Sequence, residues 1–257
     1  HKGIIYLKQE KYNEAIVELK LSLVTFDRNS DAWFNLGVAY AKLNNFEEAA
    51  NAFYKTIEID TIDKTAIFAL AQSYEDLGRF DKALYYYKRS IDSDHEVAES
   101  YYNRGHVFFL KENYYKALIE YKKAIHNDPD MFDAYVEKAD AEFNLGRIND
   151  AINSYIQAID KGDNSYETWF KLGVIYSNFG ELNRAIDYFN ETIQRNPKFS
   201  YAYYEKAKVL FNLKKQDEVV ENLRIAIKYS PEIRENLVND FKDIKTIELF
   251  KQFFDKK

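Results

Sequence analysis

The sequence predicts an all-α fold, a solenoid built from helix–turn–helix repeats. A period of 34 residues runs from residue 1 to about residue 233 of the 257. Helix breakers are scarce, with 3 prolines and 8 glycines, so the composition fits helices with few interruptions. Within one period, Trp33, Leu36, Gly37 and Tyr40 follow the i, i+3, i+4, i+7 spacing of one helix face. Together these observations favour stacked helix pairs.

The period is visible in two octapeptides, WFNLGVAY at 33–40 and WFKLGVIY at 169–176, which lie 136 residues, or four periods, apart. Steps of 34 residues from Gly3 reach only glycine or alanine: Gly3, Gly37, Ala71, Gly105, Ala139, Gly173 and Ala207. A second series is small: Ala15, Ala49, Ala83, Ala117, Ala151, Ala185 and Val219. A third is aromatic or leucine: Leu19, Phe53, Tyr87, Tyr121, Tyr155, Phe189 and Leu223. The octapeptides are therefore two copies in one array.

Proline and glycine mark the boundaries within each period. All three prolines share one repeat position, and Gly78, Gly146 and Gly180 share another. Each repeat is therefore predicted as a helix, a short turn near the Gly78 position, a second helix and a loop near the proline position. The predicted repeats 1 to 7 are 1–29 (truncated), 30–63, 64–97, 98–131, 132–165, 166–199 and 200–233.

The array resembles the tetratricopeptide repeat (TPR) family, whose pattern is W-x2-L-G-x2-Y, then A-x3-F, then P. Repeat 2 carries Trp33, Leu36, Gly37, Tyr40, Ala49 and Phe53, and repeat 6 carries Trp169, Leu172, Gly173, Tyr176, Ala185, Phe189 and Pro197. The resemblance implies a right-handed solenoid with a concave groove lined by the first helix of each repeat. It also implies a protein–protein interaction scaffold.

The resemblance places six positions of each first helix in the groove, and the fifth is mostly aromatic here. The predicted peptide-binding residues are Phe34, Asn35, Phe68, Gln72, Tyr102, Asn103, His106, Glu137, Asp140, Phe170, Lys171, Tyr204 and Lys208. The sixth and ninth positions do not reproduce the two-carboxylate clamp by which family members hold acidic chaperone tails. The groove positions of repeats 2–7 carry nine acids and three bases. We therefore expect a protein or peptide ligand that is neutral to basic, with apolar anchors; the alternative is that these acids are merely solvated.

The composition argues against several other functions. The chain has no cysteine, and its four histidines show no metal-ligand spacing, so no metal, cofactor or catalytic residue is expected. A net charge of −6 argues against a nucleic-acid partner. No apolar run reaches the length of a membrane span. The compartment is not specified, with the cytoplasm slightly favoured.

Two functional alternatives remain open: a substrate-recruiting arm of a larger enzyme, and a structural protein that self-associates through its ends. Residues 234–257 are expected to form one or two amphipathic helices that cap the array, or else a docking helix for a partner. Repeat 1 lacks its first five residues, which predicts an upstream continuation. Arg104, Lys138 and Lys206 replace the usual leucine, and we expect their stems to pack inward with their charges satisfied near the surface. The alternative is a buried functional cluster of charges.

Overall fold

The computed structural model describes residues 2–241 and Phe253, and within them every regular element is an α-helix. The prediction of an all-α architecture of repeated helix pairs is confirmed. The fifteen helices of the described residues are α1 Lys2–Lys8, α2 Tyr12–Thr25, α3 Ser30–Lys42, α4 Phe46–Ile59, α5 Lys64–Asp76, α6 Phe80–Asp92, α7 Val97–Leu110, α8 Tyr114–Asn127, α9 Phe132–Asn144, α10 Ile148–Asp160, α11 Tyr166–Asn178, α12 Leu182–Arg195, α13 Ser200–Asn212, α14 Gln216–Tyr229 and α15 Ile233–Asp240.

The chain forms two compact units, His1–Arg147 and Ile148–Lys257. In the first unit the helices pack in sequence order, with the strongest contacts inside the pairs α3–α4, α5–α6 and α7–α8. In the second unit the pairs α11–α12 and α13–α14 pack in the same way. Each helix thus contacts mainly its neighbours along the chain, as a repeat protein requires.

The turn inside each pair contains a residue in the left-handed backbone conformation, always at the same repeat position. Its φ lies between 56° and 75° at Glu10, Asn44, Gly78, Glu112, Gly146, Gly180 and Lys214, which are 34 residues apart. Only three of the seven are glycine, the residue that adopts this conformation without steric cost. The turn geometry is therefore imposed by the packing of the two helices, and glycine merely suits it.

The core of each pair is a contact between a small residue of the first helix and a large one of the second. A Cβ atom added at Gly173 would lie 2.6 Å from Cε1 of Phe189, and one added at Gly37 would lie 2.6 Å from Cε1 of Phe53. The alanine series that begins at Ala15 is fully buried throughout the array. These positions are small because the two helices approach closely there.

Two of the three basic residues at the leucine position form ion pairs with buried carboxylates. Arg104 Nη1 lies 3.3 Å from Glu120 Oε2, and Lys138 Nζ lies 3.5 Å from Glu142 Oε1. The side chains of Glu120 and Glu142 are only 6% and 5% exposed. The side chains of Arg104 and Lys138 are themselves 20% and 15% exposed, so their charges lie near the surface and are satisfied by these carboxylates. A buried carboxylate is tolerated because a cation on the same or the facing helix compensates it.

The last described helix, α15, packs on the final pair. Ile233 and Leu237 are fully buried, and Phe241 is 1% exposed. They share a hydrophobic cluster with Leu223 and Ile227 of α14. The remainder of the predicted cap, 242–252 and 254–257, lies outside the described residues, so a cap over the whole of 234–257 stays a prediction.

We expect Gly173→Ala to lower the free energy of unfolding by about 1–3 kcal/mol, because the Phe189 ring must move to admit the methyl group. Phe189→Leu should recover part of this loss when it is combined with Gly173→Ala, since repeat 7 buries Ala207 in one cluster with Leu223. Denaturant unfolding of the two single variants and the double variant measures this coupling. If the two single changes in the free energy of unfolding add up to that of the double variant, the proposed contact between Gly173 and Phe189 is contradicted.

Candidate functional site

The predicted aromatic ladder lies half inside the core. In the first unit the Phe34 ring lies 5.5 Å from the Phe53 ring, and the Tyr102 ring lies 5.9 Å from the Tyr121 ring. The centroid of the Phe68 ring likewise lies 5.9 Å from that of the Tyr87 ring. These rings are half-buried, each lying against the large residue of its own repeat. Each ladder residue therefore presents only part of its ring to a ligand.

A cavity of about 450 Å³ opens between α3, α5 and α7 of the first unit. Its apolar lining includes Val38, Ala41 and Phe53, and its polar lining includes Glu75 and Asp76. Two predicted ligand contacts, Gln72 and Asn103, also line it, as does the cation Lys42. The site thus combines an apolar wall with two carboxylates of neighbouring residues.

Glu75 is the centre of a hydrogen-bond network that joins α5, α6 and α7. The Tyr87 hydroxyl donates to Glu75 Oε2 at 2.5 Å, and His106 Nδ1 lies 2.6 Å from Glu75 Oε1. The hydrogen bond with Glu75 raises the pKa of His106 above its usual value, although partial burial opposes this. Burial, together with the charge of Glu75, raises the pKa of Tyr87, so its hydroxyl stays protonated and acts as a donor.

The predicted acids of α9 are linked to the core in a similar way. The Tyr121 hydroxyl donates to Glu137 Oε2 at 3.3 Å. Both Glu137 and Asp140 are half-buried, and both contribute to raising the pKa of Tyr121, after the larger effect of burial. Glu137 acts likewise on the pKa of Tyr102, again after burial. The Glu137 carboxylate is therefore held in place by a tyrosine of the core.

Asn35 differs from the other predicted polar contacts. Its side-chain amide donates to the backbone carbonyl of Asp31 at 2.7 Å, within α3. Asn103, by contrast, lines the cavity together with Glu75 and Tyr87. His106 contacts the Glu75 carboxylate, and Gln72 and Asn103 line the same cavity, whereas Asn35 hydrogen-bonds within α3.

In the second unit the predicted residues separate into two environments. Phe170 lies 5.9 Å from Phe189 and 5.0 Å from Phe199 between ring centroids, and it is half-buried. The Lys171 ammonium lies 5.6 Å from the centroid of the Tyr155 ring. These two side chains remain partly accessible.

Tyr204 and Lys208 are in contact with the chain's own α15. Tyr204 is 2% exposed and its hydroxyl donates to Asp240 Oδ2 at 2.6 Å. Lys208 Nζ lies 3.8 Å from the same carboxylate and 3.0 Å from Glu205. The prediction that Tyr204 presents its ring to a ligand must therefore be corrected, because α15 and Phe241 cover it. The sequence carried no repeat signal for this segment that would have shown the contact.

Other kinds of site receive no support from residues 2–241. No group of three or more His, Asp or Glu side chains is arranged there to hold a metal ion. Among the same residues, no helix is long and apolar enough to cross a membrane.

A family model matches residues 2–220 of the chain, and its description is tetratricopeptide repeat protein 21 N-terminal ARM repeat. A comparison with curated protein sequences gives no significant match.

Several solved structures share the fold. The C-terminal part of a TPR repeat-containing protein from Cytophaga hutchinsonii is 14% identical, with a TM-score of 0.79 over 94% of this chain and 98% of that one. YrrB, described as a TPR protein with an unusual peptide-binding site, is 24% identical, with a TM-score of 0.61 over 72% and 95% of the two chains. PilF of Pseudomonas aeruginosa is 16% identical, with a TM-score of 0.66 over 89% and 97%. At these identities the likeness concerns the fold alone.

We expect the imidazole of His106 to titrate above the usual value of 6.5 and Glu75→Gln to lower its pKa. Because the pKa is raised on folding, the pair's contribution to stability is complete below the unfolded pKa and is lost as pH rises through the folded one. NMR titration of the imidazole protons, assigned with His106→Gln, measures both values. Asp31→Asn, on a different helix, should leave the titration unchanged. A His106 pKa that is insensitive to Glu75→Gln would contradict the network.

Proposed function

The chain belongs to the tetratricopeptide repeat family, and from this premise we propose that it is a non-enzymatic scaffold that binds an extended segment of a partner protein. The family is generally one of interaction modules, and YrrB has a peptide-binding site on the same fold. The proposed binding surface is the cavity between α3, α5 and α7 with the adjoining face of α9. We call it the acidic groove; its acids are Glu75, Asp76, Glu137 and Asp140.

This proposal depends on one observation: apolar side chains and carboxylates line the same cavity. Val38, Ala41 and Phe53 offer apolar contact, and Glu75 and Asp76 lie at the same opening. A ligand side chain with an apolar stem and a cationic end satisfies both parts. We therefore propose that the ligand is a neutral to basic segment with apolar anchors.

The fixed positions of two carboxylates also support a neutral to basic ligand. Glu75 and Glu137 each accept a hydrogen bond from a buried tyrosine, so neither carboxylate has to be ordered when a ligand binds. Ordering side chains is one of the costs that reduces affinity. A fixed, half-enclosed negative field also attracts basic segments over a distance that depends on salt.

The chain's own C-terminal contact limits the proposed surface in the second unit. Asp240 and Phe241 contact Tyr204 and cover it. In the second unit the proposed ligand contacts are therefore only Phe170 and Lys171. The net charge of −6 supports the further proposal that nucleic acid is not the partner. We propose no catalytic residue and no cofactor.

Matched peptides of basic, neutral and acidic composition, each with two aromatic anchors, test the proposal by fluorescence anisotropy at low and high salt. We expect the basic peptide to bind most tightly and to lose affinity as salt rises. Glu137→Lys with Asp140→Lys should weaken its binding at least about tenfold, because a cation then faces a cation.

A matched control carries the same change of net charge elsewhere. Glu48→Lys with Asp217→Lys alters two exposed residues of α4 and α14 and should leave affinity within about twofold. Thermal unfolding of both double variants checks that the fold persists. Tighter binding of the acidic peptide, or equal loss in both double variants, would refute the acidic groove as the site.

A further inference from the structure

The Glu75 carboxylate connects the cavity of the acidic groove to a side chain that changes its charge near neutral pH. Glu75 lines the cavity together with Asp76, and its Oε1 atom lies 2.6 Å from Nδ1 of His106. The side chain of His106 is 38% exposed, and that of Glu75 is 15% exposed. Solvent protons therefore reach the imidazole, and the charge that they add lies beside a carboxylate of the proposed site.

The hydrogen bond between His106 and Glu75 exists in both protonation states of the imidazole. An ionised carboxylate only accepts hydrogen bonds, so Nδ1 carries a hydrogen even when the imidazole is neutral. The proton that is gained in acid then binds to Nε2. Protonation therefore removes the net negative charge of the pair and leaves its geometry in place.

Glu75 retains the capacity to bind a ligand in this arrangement. A carboxylate offers about four lone-pair sites, and the Tyr87 hydroxyl and His106 Nδ1 each take one. A ligand cation that reaches Glu75 meets a full negative charge when His106 is neutral. When His106 is an imidazolium, that negative charge is already compensated, and the two cations repel each other.

The charges at the cavity are few, so one proton changes their balance. The charged residues that line it are Lys42, Glu75 and Asp76, one base and two acids. A protonated His106, in contact with Glu75, makes the local charge neutral. The attraction of the cavity for a basic segment is weakened as a result.

The other titratable groups around His106 favour its protonation. The hydrogen bond with Glu75 of α5 raises the pKa of His106 above 6.5, partial burial opposes this rise, and the charge of Glu137 on α9 adds to it. The hydroxyls of Tyr87 on α6 and Tyr121 on α8 stay protonated, because burial raises the pKa of each. The tyrosines stay neutral, so the change of charge above pH 6.5 belongs to His106.

The permanent cations of this part of α7 and α8 contact other residues. Arg104 Nη1 lies 3.3 Å and Lys123 Nζ lies 2.9 Å from the Glu120 carboxylate. Lys116 Nζ lies 5.4 Å from the centroid of the Phe108 ring. Among the described residues, the ion pair that Glu75 forms is the one with His106. The charge of Glu75 is therefore compensated by a group that titrates.

We propose that protonation of His106 regulates the acidic groove, which binds a basic segment tightly when the imidazole is neutral and weakly when the imidazole is charged. This inference rests on the proposed function, because a response of affinity to pH requires that the groove binds such a segment. Affinity rises as the pH increases through the pKa of His106 and falls on acidification. By linkage, a bound cation lowers the pKa of His106 by the same coupling free energy.

A basic peptide with two phenylalanine anchors tests this regulation. It is acetylated at its amino end, amidated at its carboxyl end and free of histidine, and its basic residues are lysine and arginine. No group of this peptide titrates between about pH 5.5 and about pH 8.5. Fluorescence anisotropy at constant ionic strength, with a dye that does not titrate in this range, measures its Kd. We expect the Kd of the unmodified chain to be at least about fivefold higher at the lower pH.

Three variants identify the group that responds. His106→Gln gains no charge, so its Kd should differ by less than about twofold between the two pH values. His126→Gln alters an exposed histidine of α8, is the matched control and should keep the full response. Glu75→Gln should weaken binding and move the remaining response to lower pH, because His106 loses the hydrogen bond that raises its pKa. Thermal unfolding at both pH values checks that each variant is folded.

NMR titration of the unmodified chain gives a second measurement that needs no variant to fold. The imidazole of His106 should have a lower pKa with saturating peptide than without it. An unchanged pKa would overturn the inference, since the bound cation would then not interact with the imidazole.

The outcomes separate the regulation from the proposed function. Equal affinity of the unmodified chain at both pH values would overturn the regulation and leave the acidic groove as a binding site. A response that persists in His106→Gln would also overturn it and would indicate another group, such as Asp76, whose pKa is raised by burial. A peptide that binds at neither pH would refute the proposed function, and the regulation with it.

Discussion

Each helix pair depends on the contact between a small residue of its first helix and a large residue of its second. At Gly37, Gly105 and Gly173 an added Cβ atom would lie 2.6 Å from the facing ring, so a larger residue fits there only if the ring moves. The buried rings of Tyr121 and Phe189 fill the space beside two of these glycines. Since every repeat needs the same contact, the 34-residue period and the recurring left-handed turn follow from it.

The same core residues also shape the acidic groove. Tyr87 and Tyr121 are buried as rings, but their hydroxyl groups reach Glu75 and Glu137 on the surface of the first helices. Burial keeps these hydroxyls protonated, so each can donate a hydrogen bond to a carboxylate. A side chain that stabilises the helix pair thus also fixes the position of a charge that a ligand would meet.

The sequence by itself determined the all-α repeat architecture, the position of the turns and the identity of the core, because a one-dimensional array repeats the same local contacts at a fixed spacing. It also predicted Gln72, Asn103 and His106 of the first helices as ligand contacts, and that role is a proposal. What only the tertiary structure decided are the contacts that connect different repeats or lie beyond the period. The hydrogen bond between His106 and Glu75 spans 31 residues, and the contact of Asp240 with Tyr204 spans 36.

Residues after Pro231 follow no period, so their packing over Tyr204 could not be deduced from spacing. The burial of Glu120 and Glu142 could not be deduced from the sequence either. A carboxylate on a helix can be buried only where the fold places a cation beside it, as Arg104 and Lys138 are placed here.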